Sequence, residues 1–268
     1  MLEESFESLV VKDNQMRHSM KTFARIVLAV GVLIPISGYG KINPDSLVGV
    51  WYFNEGKGDA VADASPNGYN GTITNAKWDE GQFDKAVDFA KGGTAAFPLD
   101  VGVVRDQISV VMWLKFTDLA GQQNYFSIWD SGDKRIVPFK TDGHELRFWT
   151  NNWNIGSGSI VTAKTWVHVA NVFDGKTAYI YVNGAQKVAQ GGVFELSDTQ
   201  QTAWVATDKG TGFFSAVVAD DVGLFNAALS AADVADIMKR GLGLVTGIEP
   251  VRATGKLART WAGLKTAR

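Results

Sequence analysis

What most constrains this chain is a recurring unit: a run of β-branched and aromatic residues, stopped by Gly, Asn, Asp or Ser. LVGVWYF (47–53), ISVVMWLKF (108–116), YFSIWD (125–130) and WVHVANVFD (166–174) are such runs. Strand side chains alternate between two faces, and residues of these types fit a pleated, half-buried surface. In AYIYVNGAQKV the pair Asn183-Gly184 stands between two runs. Both residues tolerate positive φ, so the pair predicts a two-residue hairpin turn. Many short strands bounded by turns predict an all-β fold, a two-sheet antiparallel jelly-roll sandwich. One short C-terminal helix is expected in LSAADVADIMKRG. Ser230 caps it with Asp233 three residues on, Lys239 and Arg240 sit in its last turn, and Gly241 stops it. Val234, Ile237 and Met238 form the stripe expected to pack on the sandwich. With 268 residues, 46% of them hydrophobic, the chain has enough apolar material for one sizeable core.

The termini read differently. Lys21 and Arg25 precede the apolar run IVLAVGVLIPI (26–36), and small residues follow in SGYG. That run is too short to span a bilayer but fits a secretory signal peptide over 20–40, cleaved after Gly40. Residues 1–19 carry Glu3, Glu4, Glu7 and Asp13, which do not suit a leading signal, and are expected to be an upstream extension. The mature chain, with no membrane span, then comprises a jelly-roll domain over 41–242 and a basic, flexible tail over 243–268. It is expected to be secreted. A net charge of -2 gives no basic face for nucleic acid, and with Cys absent there are no disulfides or thiolate metal sites.

Four segments in order resemble the laminin-G-like jelly-roll domain of the concanavalin-A-like lectin and glucanase superfamily. They are LVGVWYFNEGKGDAVADASPNGYNGTI (47–73) with WDEGQFDKAVDF (78–89), ISVVMWLKF, WVHVANVFDGKTAYIYVNG (166–184), and FFSAVVADDVGLFNAALSAADVADIM (213–238). The resemblance covers about residues 45–242 and implies two antiparallel sheets in a curved sandwich. It does not imply one function, because the fold carries lectins, adhesion modules and hydrolases. It also implies a structural Ca²⁺ site, with Asp63 as the aspartate of the D-x-S loop, Asp220 from the last strand, and Asn67 as a further ligand. Calcium takes six to eight oxygens. The alternative is that these polar residues hydrogen-bond their own turns. After AVDF this chain reads AKGGTAAFPLD, without the paired aspartates that many members carry there, which puts any second site in doubt.

Glycoside hydrolysis with retention needs two carboxylates about 5–5.5 Å apart. On a strand, where same-face residues are two or four apart, that calls for a pattern such as E-x-D-x-x-E, and the chain has none. Glu145 is followed at those positions by Arg147 and Trp149, and the adjacent Asp220 and Asp221 are expected on opposite faces. The chain therefore reads as non-catalytic. A binding surface is suggested by ELRFWTNNWN (145–154), where Trp149 and Trp153 bracket Asn151 and Asn152. Sugars stack their CH faces on indoles and pair hydroxyls with amides. Asn-rich sequence is a poor strand former, so a loop is expected from Asn151, with Trp149 in the core below it and Trp153 exposed. Trp51, Trp113 and Trp166 are assigned to the core. The sequence thus points to an exported binding module for a glycan or cell-surface protein. An adhesion or structural module without a sugar ligand, and a hydrolase of the same fold, are the alternatives.

Overall fold

The alternation along the runs closes into two eight-stranded antiparallel sheets. The computed structural model describes residues 42–89, 92–159, 161–193, 196 and 199–248; the signal-peptide and extension readings fall outside them. The first sheet contains β1 (Leu47–Trp51), β4 (Lys77–Glu80), β5 (Lys85–Asp88), β7 (Ile108–Phe116), β12 (Trp166–Phe173), β13 (Thr177–Val182), β14 (Ala185–Gly191) and β16 (Val217–Phe225). Its order is β14-β13-β12-β7-β16-β5-β4, and β1 also pairs with β16. The second sheet contains β2 (Ala60–Val61), β3 (Gly71–Thr74), β6 (Thr94–Leu99), β8 (Gln122–Asp130), β9 (Arg135–Asp142), β10 (Glu145–Thr150), β11 (Trp153–Ser159) and β15 (Gln201–Val205). It runs β11-β10-β9-β8-β15-β6-β3-β2. The crossings between sequence-distant strands give the jelly-roll sandwich expected.

Between the sheets lies one large apolar cluster that includes Trp51, Phe97, Leu114, Phe116, Phe126, Ile128, Phe139 and Phe148. Trp51 and Phe97 meet with ring centroids 4.2 Å apart. Asn183 and Gly184 both have positive φ, 49° and 74°, and turn β13 directly into β14, with Val182 opposite Ala185.

The helix α1 (Ala231–Thr246) covers the other face of the first sheet. Its Ser230–Asp233 capping box forms as expected. Val234 and Ile237 bury against Val111, Ala170, Val172 and Phe225. The helix kinks at Gly241 rather than stopping there, resumes, and ends at Gly247 in the left-handed region. Folded structure therefore runs past the boundary drawn at Leu242. Trp51 is in the core, but Trp113 and Trp166 lie half-buried beside α1's face of the sheet. Trp113 meets Phe83 and His168 edge-on, and Lys115 stacks over Trp166.

Candidate functional site

The outer face of the second sheet carries a cleft of roughly 540 Å³ lined by Trp129, Asp133, Arg135, Trp149, Asn151 and Lys209. Strand alternation builds its floor. In β10, Leu146 and Phe148 enter the core, so Glu145, Arg147 and Trp149 face out. In β8, Phe126 and Ile128 enter the core and Trp129 faces out. Trp129 lies opposite Arg135 across the tight β8–β9 connection, which puts a guanidinium between two indoles. Arg135 Cζ is 4.7 Å from the Trp129 ring centroid and 4.4 Å from that of Trp149. Such contacts are worth about 0.5–1 kcal/mol when exposed and more when desolvated.

Asp208 locks this arrangement. Its carboxylate pairs with Arg135 and accepts the Trp129 indole N–H at 2.7 Å. Asp208 is only 5% exposed, so the pair is shielded and its geometry fixed. The loop after β15 brings Asp208 and Lys209 over the sheet. It can lie that close because Gly210 rests on the Trp204 ring, where a Cβ would come within 2.8 Å. Lys209 Nζ sits 4.5 Å over the Trp129 ring and pairs with Asp133 at the rim. That ammonium holds the Asp133 carboxyl below its usual range. The cleft is thus lined by two indoles, a fixed guanidinium packed on both of them, the Lys209 ammonium and the Asn151 amide.

The sequence expectation about the two tryptophans is reversed. Trp149, expected in the core, faces the cleft. Trp153, expected on an exposed loop, starts β11 opposite Thr150 and packs edge-on against Phe148 at 5.7 Å. It is covered by Gly192, where a Cβ would stand 2.2 Å from the indole. The reason is the turn: Asn151 and Asn152 alone reverse the chain, so β11 begins at once and Trp153 falls on the inner face with Phe148. Of the four residues expected to bind, Trp149 and Asn151 line the cleft. Asn152 is exposed in the same turn, and Trp153 supports from within. Trp129, Arg135 and Lys209 were not singled out, although WDSGDKR places a Trp and an Arg symmetrically about a turn, as facing hairpin residues must be.

The residues expected to hold calcium are each engaged by protein groups. Each Asp63 oxygen accepts two hydrogen bonds: Oδ1 from the N–H groups of Val50 and Ser65, Oδ2 from the Ser65 hydroxyl and the Tyr69 N–H. Asn67 turns its NH₂ to the carbonyls of Leu47 and Val48. These bonds fasten the 63–70 loop to β1 and leave Asp63 no vacant lone pair for a cation. Asp220 sits elsewhere, its Oδ2 accepting from the Phe83 N–H at 2.9 Å. Among the described residues no group of three or more His, Asp or Glu is placed to hold a metal ion.

Asp220 and Asp221 do not face opposite ways as a regular strand would place them. The register of β16 shifts there against β7, Asp221 has φ 47°, and both side chains lie on the helix-covered side. Burial raises the pKa of both carboxyls, with Asp221 adding to the shift at Asp220. Neither is reachable from the cleft.

A family profile described as the concanavalin A-like lectin/glucanases superfamily matches residues 89–235. No curated protein matches the sequence. Among solved structures, the chain is similar to domain 4 of an extracellular arabinanase of Geobacillus stearothermophilus, solved with arabinotriose. The TM-score is 0.61 at 20% identity, over 72% of this chain and 98% of that domain. A Trypanosoma rangeli sialidase mutant with trans-sialidase activity matches with TM-score 0.59 and 16% identity, over 78% of this chain but 35% of the sialidase. The binding domain of botulinum neurotoxin serotype G gives 0.55 and 14%, over 72% of this chain and 50% of that one. The chain thus spans about a third of the sialidase and nearly all of the arabinanase domain. At these identities the likeness concerns the fold.

Proposed function

Because the chain belongs to the concanavalin A-like lectin/glucanase superfamily, we propose that it is a carbohydrate-binding module and that the Trp129–Arg135–Trp149 cleft is its ligand site. The observation that carries this reading is the pair of indoles held on one open face by Arg135 and Asp208, with Asn151 at the rim. Aromatic floors bury sugar CH groups at low ordering cost, and a guanidinium and an amide supply donors for hydroxyls. The neighbour solved with arabinotriose supports a glycan as ligand.

Binding without cleavage is part of the proposal. A hydrolase needs one carboxyl kept protonated beside the bond and a second one facing it. Of the acids near the cleft, Asp133 is held ionised by Lys209, and Asp208 has both oxygens engaged by Arg135 and Trp129. The carboxyls with raised pKa, Asp220 and Asp221, are buried on the other sheet.

Export is proposed with it: the 20–40 segment acts as a signal peptide and the mature chain begins near Lys41, to be checked by mass spectrometry of secreted protein. No helix of the described residues is long and apolar enough to cross a membrane. A glycan array probed with wild type and Trp149→Ala tests the binding proposal. Wild type should bind at least one glycan class, and the variant should lose about 1–3 kcal/mol of that affinity. An array without binding, or hits unaffected by the substitution, would overturn it.

A further inference from the structure

We infer that the glycan taken by this cleft carries carboxylate groups and that Lys140 is the residue that recognises them. The inference rests on the proposal that the cleft holds a glycan. Lys140 stands on β9 opposite Arg147 of β10, on the same outer face as Trp149. Its Nζ is 5.8 Å from the Trp149 ring centroid.

The neighbouring cations are already matched: Arg135 by Asp208, Lys209 by Asp133, Arg147 by Glu145 and the Asn154 side-chain oxygen. Lys140 has no carboxylate of the described residues within ion-pair distance. Burial lowers its pKa. Asp142 opposes that shift, and Arg147 and Arg135 lower it further against a weaker opposing effect of Asp208.

A half-buried ammonium flanked by two guanidiniums and held in no ion pair, with Asp142 as its main opposing charge, is costly. A neutral sugar stacked on Trp149 would dehydrate it further and give nothing back. A sugar acid stacked on the same indole brings its carboxylate to that ammonium and offsets both costs. The charge also discriminates. Asp133 and Asp208 are spoken for by their own cations, so the charged group beside the Trp149 indole that is free of an ion pair is the Lys140 ammonium, and electrostatic complementarity there favours an anionic ligand group.

The test uses oligosaccharides of galacturonate, mannuronate, glucuronate and sialic acid, each as free acid and as its neutral methyl ester, titrated calorimetrically into the full chain. Dextran sulfate is a further arm. At least one free acid should bind about tenfold more tightly than its ester, with affinity falling as salt is raised. Lys140→Met keeps the apolar stem and should erase that tenfold preference while leaving ester binding and the melting temperature in place. Trp149→Ala should weaken acid and ester alike. Equal affinity of acids and esters, both lost in Trp149→Ala, overturns the carboxylate inference and leaves the glycan proposal standing. A preference for dextran sulfate over every carboxylated probe also overturns it. Absence of binding to any glycan, charged or neutral, overturns both.

Discussion

Acidification should cost this fold several kilocalories per mole at a single residue, His168. The ring lies on β12 at 1% exposure, edge-on to Trp113, and neither ring nitrogen has a hydrogen-bond partner. Burial pushes its pKa down from 6.5 to about 3. The unfolded chain therefore takes up this proton near pH 6.5, and the folded chain only near pH 3. With the folded value depressed, the stability contributed by the neutral ring is complete above pH 6.5 and is lost as pH falls toward 3. At about 1.36 kcal/mol per pH unit, the complete loss is on the order of 5 kcal/mol, comparable to the whole stability of a small domain. Asp220 and Asp221, on the same side of the sheet, act in the opposite sense. Their folded pKa values are raised, so their contribution is present at low pH and lost as pH rises. Comparison of wild type with His168→Leu cancels the aspartates. Urea unfolding at pH 7 should find the variant within roughly 1 kcal/mol of wild type or better, because leucine leaves no unpaired nitrogen. By pH 4 the variant should have gained roughly 3 kcal/mol relative to wild type. Parallel stability curves across that range would refute the reasoning and mean that the ring is protonated or hydrated in place.

Three further outcomes follow from buried groups. Asp63→Ala strips acceptors from Val50, Ser65 and Tyr69 and should cost roughly 3–5 kcal/mol, equally with and without a chelator; a chelator-dependent melting shift that the substitution abolishes would instead place calcium at Asp63. Trp153→Ala empties the space between Phe148 and Gly192 and should cost roughly 3–5 kcal/mol in thermal or urea unfolding while glycan affinity holds. Asp220→Asn removes a buried carboxyl that must ionise as pH rises, so it should flatten the loss of stability on the alkaline side, read as a smaller drop in melting temperature between pH 6 and 9.

The strands were legible because alternation and turn chemistry act locally. ISVVMWLKF is β7 from end to end, and Asn183-Gly184 makes the hairpin its side chains demand. The capping box at Ser230 formed for the same reason, whereas Gly241 proved to be a kink because the apolar residues beyond it still have a sheet to cover. The site was half legible. Glu145 and Arg147 share a face with Trp149, and two charged neighbours at that spacing put the indole outside; the expectation of a core position weighed the aromatic above its neighbours. Trp153 was misplaced because two asparagines were read as the start of a long loop, when two residues suffice to turn. The clamp of Asp208, Arg135 and Trp129 joins residues 73 and 79 positions apart in the chain, and no local pattern encodes a contact made only when β15 pairs with β8. Asp63 was recognised as special, but its partners on β1 are long-range too, and they satisfy it as a loop fastener.

Which tryptophans touch the ligand is the most direct test. The chain has 9 tryptophans, so its indole N–H groups give a small set of nuclear magnetic resonance signals, assignable by single substitutions. Titration with the best glycan from the array should shift the Trp129 and Trp149 indole signals in a saturable way and leave those of Trp51 and Trp153 in place. Shifts confined to Trp153, or to Trp113 and Trp166 on the helix-covered sheet, would contradict the assignment of the Trp129–Arg135–Trp149 cleft as the ligand site.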